Sequence, residues 1–274
     1  MTSIDYYAFS FCDNLTNLTL SDNLTTIGEG CFIGCKGLKR LNIPKSILGI
    51  GLDAFTECEN LESITVDGNN GKYDSRNNCN AIIETYTNRL ILGCKTTVIP
   101  QDVKIIGQNA FARCQDLNEL NIPNSVTIIE NGAFWNCNGL KDIVVGINVE
   151  KIDRGAFQEC SSLKSVVVPS TTNQIEWWSF SYCPEMKDFY IYAEAVPSTN
   201  TDAFYETPIK NAILHVPASS LDAYRQSAPW SGFGKIVALN GNDPQTTNID
   251  NQITDRFVYP LEYYTLDGKR LSMP

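Results

Sequence analysis

Apolar and polar positions along this chain recur with a fixed period. Aromatic anchors stand at Phe9, Phe32, Phe55, Phe111, Phe134, Phe157, Phe180 and Phe204. Most neighbouring anchors are 23 residues apart; the last gap is 24, and the gap from Phe55 to Phe111 is 56, one period plus 33 extra residues. Three residues after each of the first seven anchors comes a cysteine: Cys12, Cys35, Cys58, Cys114, Cys137, Cys160 and Cys183. Three further on stands an apolar residue: Leu15, Leu38, Leu61, Leu117, Leu140, Leu163 or Met186. An L-x-x-(L/I)-x-(L/I/V) run follows, as in "LKRLNI" and "LKDIVV". Alternation over its last three positions predicts a short strand. Pro44, Pro100, Pro123 and Pro169 close four of these strands, as expected of a residue that cannot donate to a ladder. One period is one coil of chain, too small to bury its own apolar face. Stacked coils bury a continuous core and align their strands in a parallel sheet.

Ala, Phe, Cys and Leu are then the inward spokes of each coil. The cysteine column reads as small, weakly polar packing. Disulfides are the rival reading, disfavoured because side chains stacked in register meet the required dihedral poorly. A metal site is weaker still, since no C-x-x-C occurs and the single histidine, His215, falls in the last coil. Cys31 takes an alanine position and reads as core, whereas Cys79 and Cys94 stand outside the column.

The repeat resembles the leucine-rich repeat superfamily, and more closely the cysteine-containing 23-residue repeats of BspA-like surface proteins. The resemblance covers roughly residues 4–239 and implies a leucine-rich-repeat solenoid. The expected organisation is a solenoid over 1–239, with an insert at 67–99 and a cap at 217–239. A linker at 240–252 and a β-hairpin tail at 253–274 follow.

In the insert, an Asp/Asn/Gly-rich front predicts loop, and "AIIE-TYTN-RLILG" predicts a hairpin projecting from the edge or back of the sheet. Asp67, Asn69 and Gly71 mimic the start of a calcium loop, but the glycine is misplaced and position 12 is Asn78. An ordinary loop is the better reading, and no cofactor is expected.

In the cap, a strand ending at Val216 leads to a helix over "SLDAYRQSA", N-capped by Ser219 or Ser220 and burying Leu221 and Tyr224. Trp230, Phe233 and Ile236 are expected to cover the open end of the core. Similar endings occur in BspA-like proteins. "EYYTLDGKRL" resembles the start of the C-terminal tail of exported Bacteroidetes proteins. At the other end the chain begins late in a coil, and a bare edge exposes backbone and core groups. Three outcomes are expected there: residues missing upstream, fraying of the first coil, or self-association at the uncapped N-terminal edge.

The chain has 274 residues, a formal charge of -10 and a pI near 4.6. This acidity argues against nucleic acid and against an anionic membrane face. No apolar run long enough for membrane insertion is present, and no signal peptide is visible in "MTSIDYYAF". No nucleophile elbow or phosphate loop points to an enzyme, and His215 reads as a solvated residue on an outer strand face.

Binding is the remaining class. The outward strand positions give the pairs Lys141-Asp142, Lys164-Ser165 and Lys187-Asp188. The next outward position gives Val144, Val167 and Tyr190. Lys141, Lys164, Lys187, Asp142, Asp188, Tyr190, Trp177 and Trp178 are therefore the candidate ligand-binding residues. Since Trp177 and Trp178 are consecutive, at least one should lean outward. Resemblance to the BspA-like type implies an extracellular or cell-surface protein. It further implies contact with host extracellular matrix, host cell-surface proteins or other bacteria. A structural spacer within a larger surface protein and a glycan-binding module are the rivals. A binder should show a contiguous apolar or single-sign patch once folded.

Overall fold

The structure is a computed structural model and describes residues 2–118, 120–240 and 243–244. The tail at 253–274 and most of the predicted linker lie outside the described residues. The chain winds as a solenoid, and each regular coil has three sides.

The predicted L-x-x-L-x-L strands make a front sheet. Arg40–Ile43 pairs with Ser63–Val66. Further along, Asp142–Val144, Ser165–Val168, Asp188–Ile191, Ile213–Val216 and Lys235–Ala238 form five parallel strands. No strand forms over 15–20 in the first coil. A second, back sheet comes from the short segments ending in the repeated isoleucine, whose place Thr199 takes in the last of them. Ser3–Ile4, Thr26–Ile27 and Gly49–Ile50 form one parallel set. Ile105–Ile106, Ile128–Ile129, Lys151–Ile152, Gln174–Ile175 and Ser198–Thr199 form another. The registers advance by one repeat: Ile129 lies beside Ile106 and Ile152. The pleat sends these isoleucines inward and their neighbours outward.

The third side is the turn around the phenylalanine. Here alternate N–H groups donate to the carbonyls of the next coil, as in Phe134 N to Ala156 O and Phe157 N to Ser179 O, each 2.8 Å. The alternation is maintained by two left-handed residues per turn, two places before and two after the phenylalanine. Gly132 and Asn136 flank Phe134, and Gly155 and Glu159 flank Phe157. Glycine and asparagine suit these places because the left-handed region is costly for residues with a branched or bulky Cβ.

Inside, Phe32, Phe134, Phe157 and Phe180 are fully buried, and successive rings stack 5.1–5.3 Å apart over most of their length. The cysteines lie in file beside them, all unpaired as thiols and all buried except Cys12. Five of the column thiols sit against the phenylalanine carbonyl of the preceding coil: Cys35 and Cys58 against Phe9 O and Phe32 O, Cys137 Sγ to Phe111 O at 3.0 Å, Cys160 to Phe134 O at 3.2 Å, and Cys183 to Phe157 O at 3.3 Å. A thiol is small enough for the column and can donate, weakly, to the second lone pair of a carbonyl such as Phe111 O, which already accepts the N–H of Cys114 at 3.0 Å. At the last coil Thr207 takes the place of cysteine, and its hydroxyl donates to Phe180 O at 2.6 Å.

The insert departs from expectation. Its hairpin, Ile82–Glu84 with Arg89–Leu92, does not project. Arg89–Leu92 pairs in parallel with Ile105–Ile106 and continues the back sheet, and Ile82–Glu84 and Tyr73–Asp74 extend it antiparallel. The reason is apolar alternation on both faces: Ile82 and Leu92 pack into the core of the first coils, Ile83 and Leu90 into the core of the later ones. A projecting hairpin would expose both sets. The insert is thus a partition between two cores. Gly93 takes the phenylalanine place of this coil, donating its N–H to Ala110 O at 2.8 Å. A Cβ there would stand 2.2 Å from the Phe111 ring, so the phenylalanine stack is interrupted to make room for that ring.

The cap forms as a strand, a short helix Leu221–Gln226 and the strand Lys235–Ala238. Ser220 is the N-cap residue, but its hydroxyl bonds Glu194 O at 2.6 Å instead of capping the helix. Tyr224 is buried and donates to Ala193 O at 2.9 Å. Trp230 meets Phe204 edge-on, with ring centroids 5.4 Å apart. The crossed ring closes the stack where a parallel one would invite another coil.

Candidate functional surface

Lys141, Lys164 and Lys187 lie immediately before the register Asp142–Ser165–Asp188. Their backbones are linked in series, Lys164 N to Lys141 O at 2.7 Å and Lys187 N to Lys164 O at 2.9 Å. All three side chains are exposed, and among the described residues none has a hydrogen-bond or ion-pair partner. Parallel strands stand about 4.8 Å apart, so this is a ladder of like charges one strand spacing apart. Asp142 is exposed beside it.

Asp188 and Tyr190 are committed elsewhere. Tyr190 stacks on His215 with centroids 4.1 Å apart, because the register sets Val144, Val167, Tyr190 and His215 in one file. His215 is not the solvated residue the sequence suggested. Its side chain is only 12% exposed; Nε2 lies 3.0 Å from Asp188 Oδ1, and Nδ1 lies 4.0 Å from Asp243 Oδ1. Tyr192 donates to Pro244 O at 2.6 Å, so Asp243 and Pro244 fold back over this end of the front sheet. Burial first, then the carboxylates of Asp188 and Asp243, push the Tyr190 phenol up. Val167, read as outward, is buried. No sequence signal foretold this cover, since it joins residues about 50 positions apart in the chain.

Trp177 and Trp178 lie elsewhere. They follow the back-sheet strand Gln174–Ile175 and belong to the turn side. Trp177 is the exposed member, and Arg154 lies over the ring of Trp178 at 4.6 Å. The eight candidates therefore divide between two surfaces: six on the front sheet and two on the turns.

In the insert loop, Asp67 Oδ1 accepts from Asn69 N at 2.8 Å and Asn70 bonds Pro44 O and Ile47 O. These side chains fold the loop itself. Among the described residues no helix is long and apolar enough to cross a membrane.

A stack of strand-and-turn coils with a repeated Phe–Cys–Leu interior and a solvent-facing sheet defines a leucine-rich-repeat scaffold. The sequence profile of the BspA type leucine rich repeat region matches in six copies, over residues 1–88 and 82–211. The chain belongs to that family. Among solved structures, the pneumococcal vaccine antigen PcpA is similar at a TM-score of 0.62 and 18% identity, over 88% of this chain and 71% of that one. A leucine rich cell surface protein from Faecalibacterium prausnitzii A2-165 is similar at 0.60 and 24% identity, over 88% of this chain and 64% of that one. A leucine-rich repeat protein from Bacteroides ovatus ATCC 8483 is similar at 0.53 and 21% identity, over 87% and 64%. The chain thus spans about two thirds of the length of these structures. No curated protein sequence matches.

Proposed function

We propose that this chain is a non-enzymatic binding protein of the cell surface or extracellular space that presents its front sheet to a protein ligand in adhesion. The ligand would be a host extracellular-matrix or cell-surface protein, or a protein of another bacterium. The single observation that supports this is the lysine ladder. Three exposed cations on adjacent coils, without a side-chain partner among the described residues, repel one another, and solubility alone does not call for such a file in a chain of net charge -10. A partner presenting carboxylates along an extended edge would neutralise them, and complementary charge governs rate and specificity of encounter. A mere spacer has no use for the arrangement.

The test is a pull-down of host extracellular proteins and glycans with the full chain and with Lys141→Glu/Lys164→Glu/Lys187→Glu. A captured protein should be held at least about tenfold more weakly by the triple variant, and most of the effect should vanish at high salt. Equal capture by both forms removes the ladder from the binding surface, and no capture at all favours the spacer.

Self-association belongs to the same reading. Tyr6, Phe9 and Phe11 of the first coil are exposed, and Phe9 stacks on Phe32 by one face. Sedimentation should show a concentration-dependent dimer that Phe9→Ser abolishes; a monomer at all concentrations ends this part of the proposal.

A further inference from the structure

The turn side of the late coils carries a second surface of opposite chemistry. Trp177, Tyr182 and Tyr205 are 48%, 44% and 46% exposed. Tyr182 and Tyr205 meet edge-on with centroids 5.7 Å apart, and Tyr182 N donates to Tyr205 O at 2.9 Å. Counting two places past each phenylalanine, the file reads Asn136, Glu159, Tyr182, Glu206. Tyr182 therefore stands between two carboxylates, one on the coil before and one on the coil after. Burial first, then Tyr205, Glu206 and Glu159, push its phenol up, which accords with a negative field at the ring.

The backbone of this turn side is left-handed at two of its aromatic residues. Trp178 has φ +58° and Tyr182 φ +54°, in the left-handed region where the Phe134 and Phe157 coils place Gly132, Asn136 and Gly155 among others. Glu57, Arg113, Glu159 and Glu206 hold the same conformation in their coils, so it is the turn's own geometry, here occupied by aromatic side chains. Tyr7 and Phe11 share the conformation in the first coil, but their rings lie over Gly30 and Gly34. That shelf is missing after Trp178 and Tyr182, because Asp202 and Glu206 stand at the glycine places. The chain also displays what these rings accept: a guanidinium, that of Arg154, already lies over Trp178.

We propose that the turn side of the Phe157, Phe180 and Phe204 coils docks an arginine- or lysine-bearing segment of a partner protein. Its cation would lie against Tyr182 and Tyr205, flanked by Glu159 and Glu206. Aromatic faces attract cations through the ring quadrupole, and the flanking carboxylates add charge-assisted hydrogen bonds. This surface stands apart from the lysine ladder and calls for a ligand of opposite sign.

The test uses the full chain and a labelled oligoarginine peptide, read by fluorescence anisotropy at near-physiological salt. Its citrulline counterpart and a neutral oligosaccharide serve as competing probes. Tyr182→Ser/Tyr205→Ser removes rings and no charge; Glu159→Gln/Glu206→Gln removes charge and no rings. Each pair should weaken the peptide by about tenfold, while Lys141→Glu/Lys164→Glu/Lys187→Glu should not weaken it. Circular dichroism checks that each variant folds, and Trp177→Ser, at an exposed site, serves if the tyrosine pair does not. Unchanged affinity in the ring variants reduces the effect to general attraction by an acidic chain and overturns the proposal. So does equal binding of the citrulline peptide, or binding of the oligosaccharide in place of the peptide. Because the lysine variant is read separately, loss of either proposal leaves the other standing.

Discussion

A cysteine in this protein acts as a small hydrogen-bond donor, and its chemistry is correspondingly quiet. Burial pushes the Cys160 and Cys114 thiols up to about 12 and those of Cys31 and Cys79 up to about 11. The thiolate is the reactive form. A thiol-specific reagent at pH 8 should therefore label Cys12 alone in the folded protein and all 10 cysteines after denaturation. The same shifts set a pH dependence. A thiol whose folded value is raised contributes stability fully below the ordinary thiol range, and that contribution is lost as pH rises through the folded value. Urea midpoints should be level from pH 7 to about 8 and fall from about pH 9 upward. A midpoint that rises over that interval would contradict the buried-thiol account. Replacing Cys160 by alanine removes the donor to Phe134 O and leaves a small void, at about 1–2 kcal/mol.

At the scale of the element, the insert shows how a repeat absorbs extra residues. The hairpin survives within the stack because each of its strands has an apolar side for each core. Gly93 is its tightest point. Gly93→Ala should destabilise by about 1–3 kcal/mol, the usual penalty for overpacking, measured as a lower urea midpoint at unchanged slope. A neutral result would mean that Phe111 does not fill the vacated phenylalanine place. On either side of the insert the turn side re-forms: Asn109 donates to Asp53 Oδ1 at 2.8 Å, and Arg113 lies 3.5 Å from Glu57. These bonds join residues exactly one long gap apart and bring the regular coils back into line.

The whole molecule holds two cores divided by that partition, one reaching from Leu24 to Cys94 and the other from Cys79 to Phe233. A solenoid's stability is a sum of coil terms and nearest-neighbour terms, so a weak interface permits separate melting. The first core is smaller and its leading coil is exposed, whereas the second ends under Trp230. Hydrogen exchange should accordingly be faster throughout residues 24–66 than in 126–191, with the earlier coils opening as a group. Trp230→Ala should cost about 3–5 kcal/mol and accelerate exchange first in the Phe204 and Phe180 coils. Uniform exchange along the chain would show the partition to be rigid and the two cores to unfold as one. The lysine ladder belongs to this scale too, since its three charges become neighbours only when coils stack.

The sequence by itself determined the coil, its period, its inward residues and its family, because every coil must bury the same columns and repetition writes that demand many times over. It also determined the front strands and the apolar cover at the C-terminal end. The back sheet was less legible, since two-residue strands leave only a recurring isoleucine as their mark. What only the tertiary structure decided are the events that happen once: the hairpin as a partition, Gly93 yielding its place to Phe111, Asp243 and Pro244 closing over His215, and the separation of Trp177 and Trp178 from the lysine file. Each depends on contacts between segments that share no periodic constraint, and a pattern read along the chain carries no record of such meetings.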